Sequence, residues 1–407
     1  MTSPFDTSAV LAARARGMEE APIMRMSRLA REERAKGRDI ISFTLGEPDF
    51  DTPKVIRQTA CAALEEGYTH YPPMPGFPEV RAAIAEKLRR ENGLDVGPEG
   101  IVVSAGAKQA LANTLFALVE PGDEVILIAP YWAAYLPIIE LAGGVPIFVP
   151  TSAGDGFLPP AEQIAEAISE RSKLLLINSP CNPSGAVFPP ALLEEIAELA
   201  RAHPRLMVLS DEIYEYILFD DARHVSIGAL PGMAERTITV NGFSKGFAMT
   251  GWRLGYSASM PAMARAIAKM QGSFTAGVNA FSQRAILTAL SEAARPAVEG
   301  MCQRYANRRA LMLKLLKDIP GVRLTPPAGT FYMLPDFSEL LAGASGNLPQ
   351  DDVALAEWLL MEHGVATVPG SAFGAPRTLR LSFATSEQQI MAGCQRLREG
   401  LAALRDG

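Results

Sequence analysis

Thr237-Ile238-Thr239-Val240-Asn241-Gly242-Phe243-Ser244-Lys245, continued by Gly251-Trp252-Arg253, is the stretch that decides how this chain is read. The run Thr-Ile-Thr-Val favours a short strand. The turn behind it puts a lysine just past the strand end, and an arginine follows eight positions later. A lysine in such a turn can condense with an aldehyde. A serine hydroxyl and a guanidinium beside it can hold a phosphate. Taken singly, each of these is an ordinary solvated side chain. Other segments change that reading.

Working outward, short β-branched runs alternate with amphipathic stretches. Strands are expected at 101–103, 125–128, 145–149, 174–177, 206–209 and 237–240, and helices at 108–118, 133–141 and 192–202. The run 174–177 is wholly aliphatic, as in a strand covered on both faces. This alternation predicts an α/β fold with a mainly parallel sheet flanked by helices, whose ligands bind beyond the carboxyl ends of the strands. After residue 275 the pattern changes. A helical region over 280–317 is expected to break or kink at Pro296, strands at 322–324, 330–334 and 378–383, and helices at 353–362 and 388–404. With the N-terminal arm, this tail predicts a second, smaller α+β unit. The boundaries expected are 1–48 for the arm and part of the small unit, 49–295 for the large domain and 296–407 for the rest. A flexible loop is expected at 343–350.

Most chemistry-bearing motifs fall at strand ends. Asn178-Ser179-Pro180-Cys181-Asn182-Pro183-Ser184-Gly185 is a stiff turn that fixes the Asn182 amide, a donor for a phenolate or carboxylate oxygen. Ser210-Asp211-Glu212-Ile213-Tyr214-Glu215 offers a carboxylate to keep a pyridine nitrogen protonated and a phenol to bond a ring oxygen. Ser104-Ala105-Gly106-Ala107-Lys108-Gln109-Ala110 opens a helix with small residues, which frees backbone N–H groups for an anion. Trp132, in Pro130-Tyr131-Trp132, can stack on an aromatic ring or pack into the core. Arg380, in Leu379-Arg380-Leu381-Ser382-Phe383, can take a carboxylate bidentately if it faces the cleft. Each has an ordinary structural alternative. Together they match pyridoxal 5′-phosphate, which carries an aldehyde, a ring nitrogen, a ring hydroxyl and a phosphate.

Bulk properties remove other classes. The 407 residues carry a net charge of −7, with 48% hydrophobic and 20% charged residues. That composition is a globular enzyme's, and it lacks the clustered basic face a nucleic-acid partner needs. Cys61, Cys181, Cys302 and Cys394 are scattered, as are His70, His203, His224 and His363. No metal site, disulfide framework or His-based triad is expected, and the compartment expected is the cytoplasm. Residues 1–10 show no secretory signal, and no run of about 18 apolar residues suggests a membrane span.

From about Pro22 to Leu404 the chain resembles the class I, aspartate aminotransferase-like, pyridoxal phosphate-dependent aminotransferases of fold type I. Leu45-Gly46-Glu47-Pro48-Asp49-Phe50, Gly106-Ala107-Lys108-Gln109-Ala110-Leu111, the turn 178–185, the segments 210–215 and 241–256, Gly329-Thr330-Phe331-Tyr332 and Arg380-Leu381-Ser382-Phe383 carry the resemblance. It implies a seven-stranded-type sheet and a homodimer with shared active sites. Lys245 would form the covalent link to the cofactor. Asp211 would face the pyridine nitrogen, with Tyr214 and Asn182 at the ring oxygen and Trp132 stacked on the ring. Ala107 and Lys108 through their backbone, Ser244 and Arg253 would hold the phosphate, and Tyr71 would reach the phosphate of the neighbouring subunit. Gly46 and Arg380 would meet the substrate, with Trp132 and Asn182 beside it. Lys245, Asp211 and Tyr214 are the catalytic set.

The activity implied is ping-pong exchange of an amino group between an L-amino acid and a 2-oxo acid such as 2-oxoglutarate. Lys108 points to aspartate or another acidic donor, whereas Pro22-Ile23-Met24-Arg25-Met26-Ser27 looks more like relatives accepting other, including aromatic, amino acids. A lyase or synthase on the same fold would use the same residues and release ammonia. A cofactor-binding regulatory module would need a basic DNA-binding extension, which the sequence lacks. A dehydrogenase is disfavoured because no Gly-x-Gly-x-x-Gly opens a βαβ unit.

Overall fold

The computed structural model describes residues 10–17, 20, 22–343 and 348–406. Residues 1–9, where no secretory signal was expected, and half of the expected loop at 343–350 therefore lie outside the described residues. The N-terminal strand Ile41–Ser42 (β1) comes before the main sheet. That sheet holds seven strands, Ile101–Ser104 (β2), Glu124–Ile128 (β3), Val145–Val149 (β4), Ser172–Asn178 (β5), Met207–Asp211 (β6), Thr237–Gly242 (β7) and Gly255–Ala258 (β8). Their order is β2-β8-β7-β6-β5-β3-β4. The β3–β4, β3–β5, β5–β6 and β6–β7 pairs are parallel, and only β8 runs against its neighbours.

Period-2 alternation sorts the aliphatic strands between two cores. Val125, Leu127, Leu174 and Leu176 pack on one face, with Ala110, Leu111 and Leu115 of the helix Ala107–Leu118 and Ile267 of the helix Pro261–Phe274. Ile126, Ile128, Leu175 and Ile177 pack on the other, with Leu192, Leu193 and Ile196 of the helix Pro190–Ala202. These side chains are almost fully buried, and each contributes roughly 1.5–3 kcal/mol. Proline at N1 starts the helix Pro190–Ala202 where its missing N–H costs nothing.

A second core joins the helices Pro22–Ala35, Arg295–Leu316, Asp352–His363 and Glu387–Asp406 to small sheets. Tyr332–Met333 (β9), Val365–Ala366 (β10), Val368–Pro369 (β11) and Leu379–Ser382 (β12) supply the strands. β1 pairs with β10, and β12 lies between β11 and β9. Ile213, Tyr214 and Ile217, from the turn after β6, enter this core and tie it to the main sheet.

Two expectations need correction. The strand at 322–324 is absent: Arg323 makes only an isolated bridge to Asp336. The strand at 330–334 shrinks to β9, because Thr330 adopts a positive φ of 64°. The helical region over 280–317 is broken as expected: the helix Ala280–Ala289 ends, and Pro296 sits in the first turn of the next helix, Arg295–Leu316.

Candidate active site

The carboxyl ends of β2, β3, β5, β6 and β7 open onto one cavity of about 390 Å³, within the size range of small-molecule sites. Asp211, the last residue of β6, is buried at its floor. Tyr135 donates its hydroxyl to Asp211 Oδ2 at 2.6 Å, and the Ile213 amide donates to Oδ1 at 3.3 Å. Burial pushes the Asp211 pKa up to about 6, against the pull of the Tyr135 hydrogen bond. A buried carboxylate of this kind is suited to pair with a cation. Asn178, at the end of β5, donates its amide to the Asp211 carbonyl at 2.9 Å and accepts from the Asn182 backbone at 2.9 Å. One asparagine therefore fixes the two turns that carry Asp211 and Asn182.

Lys245 lines the same cavity, and its Nζ donates to the Gly46 carbonyl. Burial, then the positive charges of Arg380 and Arg253, lower its pKa to about 8, while Glu47 and Asp211 oppose them. A lysine poised there is a nucleophile and base near neutral pH. Tyr214 is buried with its hydroxyl 3.1 Å from that of Tyr332, and burial raises its pKa well above the usual phenol range. It therefore remains a protonated donor.

The anion cradle forms where β2 meets the helix Ala107–Leu118. Gly106 has a φ of 86°, and a Cβ there would lie 2.5 Å from Arg253 Nη2. Across the cradle, a Cβ on Gly255 would lie 2.3 Å from the Ala107 amide nitrogen. Both glycines keep open the space where backbone N–H groups and a guanidinium converge. No side chain caps this helix, so its N-terminus remains available to a phosphate. Arg253 donates to the Thr250 carbonyl at 2.9 Å and to the Ala105 carbonyl at 3.2 Å, which holds it at the rim. Ser244 lines the cavity nearby. The buried acid, the poised amine, the phenol and the cradle fit pyridoxal 5′-phosphate group by group.

Arg380 does face the cleft. It is 1% exposed, and it donates to Asn182 Oδ1 at 3.2 Å and to the Thr44 carbonyl at 2.9 Å. Its guanidinium lies 4.4 Å from the Tyr332 ring centroid and 5.1 Å from that of Phe373. Nε is buried without a partner, so the group retains donor capacity for an incoming carboxylate. Lys108 Nζ sits 5.0 Å from the Trp132 ring centroid. Trp132 meets Tyr135 edge-on, centroids 5.3 Å apart, which leaves its ring on the cavity wall. Burial pushes the Cys181 thiol up to about 11, so it is no nucleophile.

The cavity thus gathers Gly46, Ala107, Lys108, Trp132, Asn182, Asp211, Tyr214, Ser244, Lys245, Arg253 and Arg380, all expected from sequence. Tyr71 is not among them. It is 89% exposed and lies beside a different surface hollow with Tyr68 and Phe281. Sequence reading assigned no role to Tyr135, Asn178 or Tyr332. For Tyr135 a signal existed, because a tyrosine on the apolar face of a helix needs a buried partner for its hydroxyl.

The family model "Aminotransferase class I and II" matches residues 38–397. An aspartate aminotransferase of Pinus pinaster is 41% identical over 400 residues, covering 97% of this chain and 81% of that protein. The aspartate/prephenate aminotransferase of Thermus thermophilus is 43% identical over 388 residues, with 95% and 97% covered. The solved structure of a Thermus thermophilus aspartate aminotransferase with maleate superposes with a TM-score of 0.90 at 42% identity, covering 96% of this chain and 99% of that one.

Proposed function

Since the chain belongs to the class I and II aminotransferases, and is a pyridoxal 5′-phosphate-dependent transaminase, we propose that it moves the amino group of aspartate to a 2-oxo acid such as 2-oxoglutarate. One observation carries this choice. Two cations, Arg380 and Lys108, line a single cavity around Lys245, as a dicarboxylic substrate requires. The printed names of the relatives, aspartate and aspartate/prephenate aminotransferase, support the same choice.

The bound cofactor supplies an aldehyde carbon that links to amines and a pyridinium ring that withdraws electrons from the attached substrate. Everything else is done by the chain. Arg380 takes the α-carboxylate, with Asn182 bracing the guanidinium. Asp211, oriented by Tyr135, holds the proton on the ring nitrogen, and Tyr214 donates to the ring oxygen. Ala107, Ser244 and Arg253 grip the phosphate. Lys245, whose amine is guided by the Gly46 carbonyl, would be the residue that removes the proton from the substrate α-carbon. The two half-reactions share one site, so parallel-line, ping-pong kinetics follow.

In this reading the Lys108 ammonium, which lies over the Trp132 ring in the cavity, would meet the side-chain carboxylate of the substrate. Its pKa is lowered by burial and by Arg253, yet the aspartate β-carboxylate would hold its proton. Lys108→Ala is expected to raise KM for aspartate about tenfold or more while leaving alanine unchanged. A panel of donors with 2-oxoglutarate checks this. Equal losses for both donors, or ammonia release without amino transfer, would overturn the assignment.

We further infer a cytoplasmic homodimer that brings the exposed Tyr71 of one protomer to the phosphate of the other, with the domain limits 49–295 and 296–407. Four free cysteines fit a reducing compartment. Among the described residues, no helix is long and apolar enough to cross a membrane. Light scattering at twice the chain mass supports the dimer, and a monomer at micromolar concentration refutes it.

A further inference from the structure

The turn that ends β6 presents two different faces. Asp211 and Tyr214 line the cavity, whereas Glu212 and Glu215 do not and are buried behind it. Glu212 is 0% exposed. It accepts from Ser210 Oγ at 2.9 Å, from Ser226 Oγ at 2.6 Å, and pairs with His224 Nε2 at 2.9 Å. Glu215 pairs with the buried Lys87 Nζ and accepts from Asn92 Nδ2 at 2.8 Å. Asn92 also donates to Ser226 Oγ at 3.0 Å and accepts from Lys87 Nζ at 2.8 Å, which joins both carboxylates into one network. This network ties the turn to the helix Pro78–Lys87, to the π-helical segment Leu88–Asn92 and to the loop carrying His224.

Two buried carboxylates, one lysine and one histidine are neutral only when the histidine carries its second proton. Uncompensated charge is costly at this depth, so charge balance favours that form, against the cost of a buried Nδ1–H that has no partner. Glu212, Glu215 and His224 lie close enough to hold a metal ion. The Lys87 ammonium and the His224 ring already meet both carboxylates, so no metal is needed.

We propose that Glu212 and His224, with Glu215 and Lys87, are positioning residues of the active site: from behind, they fix the turn that aims Asp211 and Tyr214, and the cationic His224 cancels the charge of Glu212 beneath Asp211. This rests on the cofactor assignment above. Glu212 adds to the rise of the Asp211 pKa, behind burial as the main cause. Burial alone would lower the His224 pKa; facing Glu212 and then Glu215 override it and raise it, against Lys87. Glu91, 4.0 Å from Lys87 Nζ, is the remaining acid beside the network.

The test reads the pH midpoint at which the bound cofactor changes absorbance. His224→Gln keeps an N–H for Glu212 and removes the charge. The unbalanced carboxylate then favours protons on the cofactor side, and the midpoint is expected to rise by about half a pH unit or more, with kcat lowered and KM for aspartate kept. Adding Glu212→Gln to that variant restores neutrality and returns the midpoint towards wild type. An unmoved midpoint in His224→Gln, or a double variant displaced as far as the single, overturns the proposal while leaving the cofactor assignment standing. Wild-type protein that binds no cofactor overturns both. Independently of any variant, ring ¹⁵N shifts of the cofactor-free wild type should show His224 doubly protonated at pH 7, and a neutral ring there refutes the proposal.

Discussion

Lys245→Ala is expected to abolish amino-group transfer, with a loss of about 10⁴-fold or more, and to remove the bound-cofactor absorbance that borohydride would otherwise trap at that residue. In the proposed mechanism two functions vanish with one amine: the covalent anchor and the base that moves the α-proton. Stability should respond in the opposite sense. The amine has a pKa of about 8 in the fold, lowered by burial and by Arg380, against about 10.4 in an unfolded chain. Between pH 8 and 10 the unfolded state binds more protons there, so stability rises with pH across that window. Below pH 8 the full cost of holding a charged lysine persists. Cofactor-free Lys245→Ala should therefore melt no lower than cofactor-free wild type at pH 7. Normal transamination by the variant ends the assignment, and a clearly lower Tm contradicts the electrostatic account.

Arg380→Lys is the second large effect. Lysine keeps the charge and loses the planar fork. It cannot reproduce the two donor contacts to Asn182 Oδ1 and the Thr44 carbonyl, nor the placement between the Tyr332 and Phe373 rings. Losing one charge-assisted hydrogen bond to substrate costs roughly 2–3 kcal/mol, about 30- to 150-fold in kcat/KM. Every amino acid has an α-carboxylate, so the loss should be similar across donors, unlike that of Lys108→Ala. Steady-state kinetics with aspartate and alanine separate the two. A loss confined to aspartate would place Arg380 at the wrong end of the substrate.

Much of this architecture was legible because aliphatic strands advertise themselves. Leu174 to Ile177 and the Val-Ile-Leu-Ile run of β3 leave little alternative, and the motifs at their ends occupy the cavity as expected. β8 was not legible as a strand: Gly-Tyr-Ser-Ala has no β-branched run, and its Gly255 is required by the close approach of the Ala107 amide rather than by strand propensity. The helix Pro78–Lys87 escaped notice as well. It buries Lys87, whose partner Glu215 is 128 residues away, and no local pattern reports such a pairing. The Tyr214–Tyr332 contact is hidden for the same reason, since it joins residues of one core that lie 118 positions apart. Tyr71 marks a different limit, since the phosphate it was expected to join belongs to a second protomer, and within one protomer it is exposed outside the cavity.

The single reversed strand of the main sheet has a consequence for how the chain tolerates change. Because the polypeptide leaves through β7 and returns through β8 on the same side, Lys245 and Arg253, the covalent and ionic tethers proposed for the cofactor, belong to one hairpin. Their relative spacing is fixed locally, and closing so short a loop costs little entropy. Added residues between positions 245 and 253 would therefore separate the two tethers directly, whereas insertions at the far rim of the sheet would leave their spacing intact.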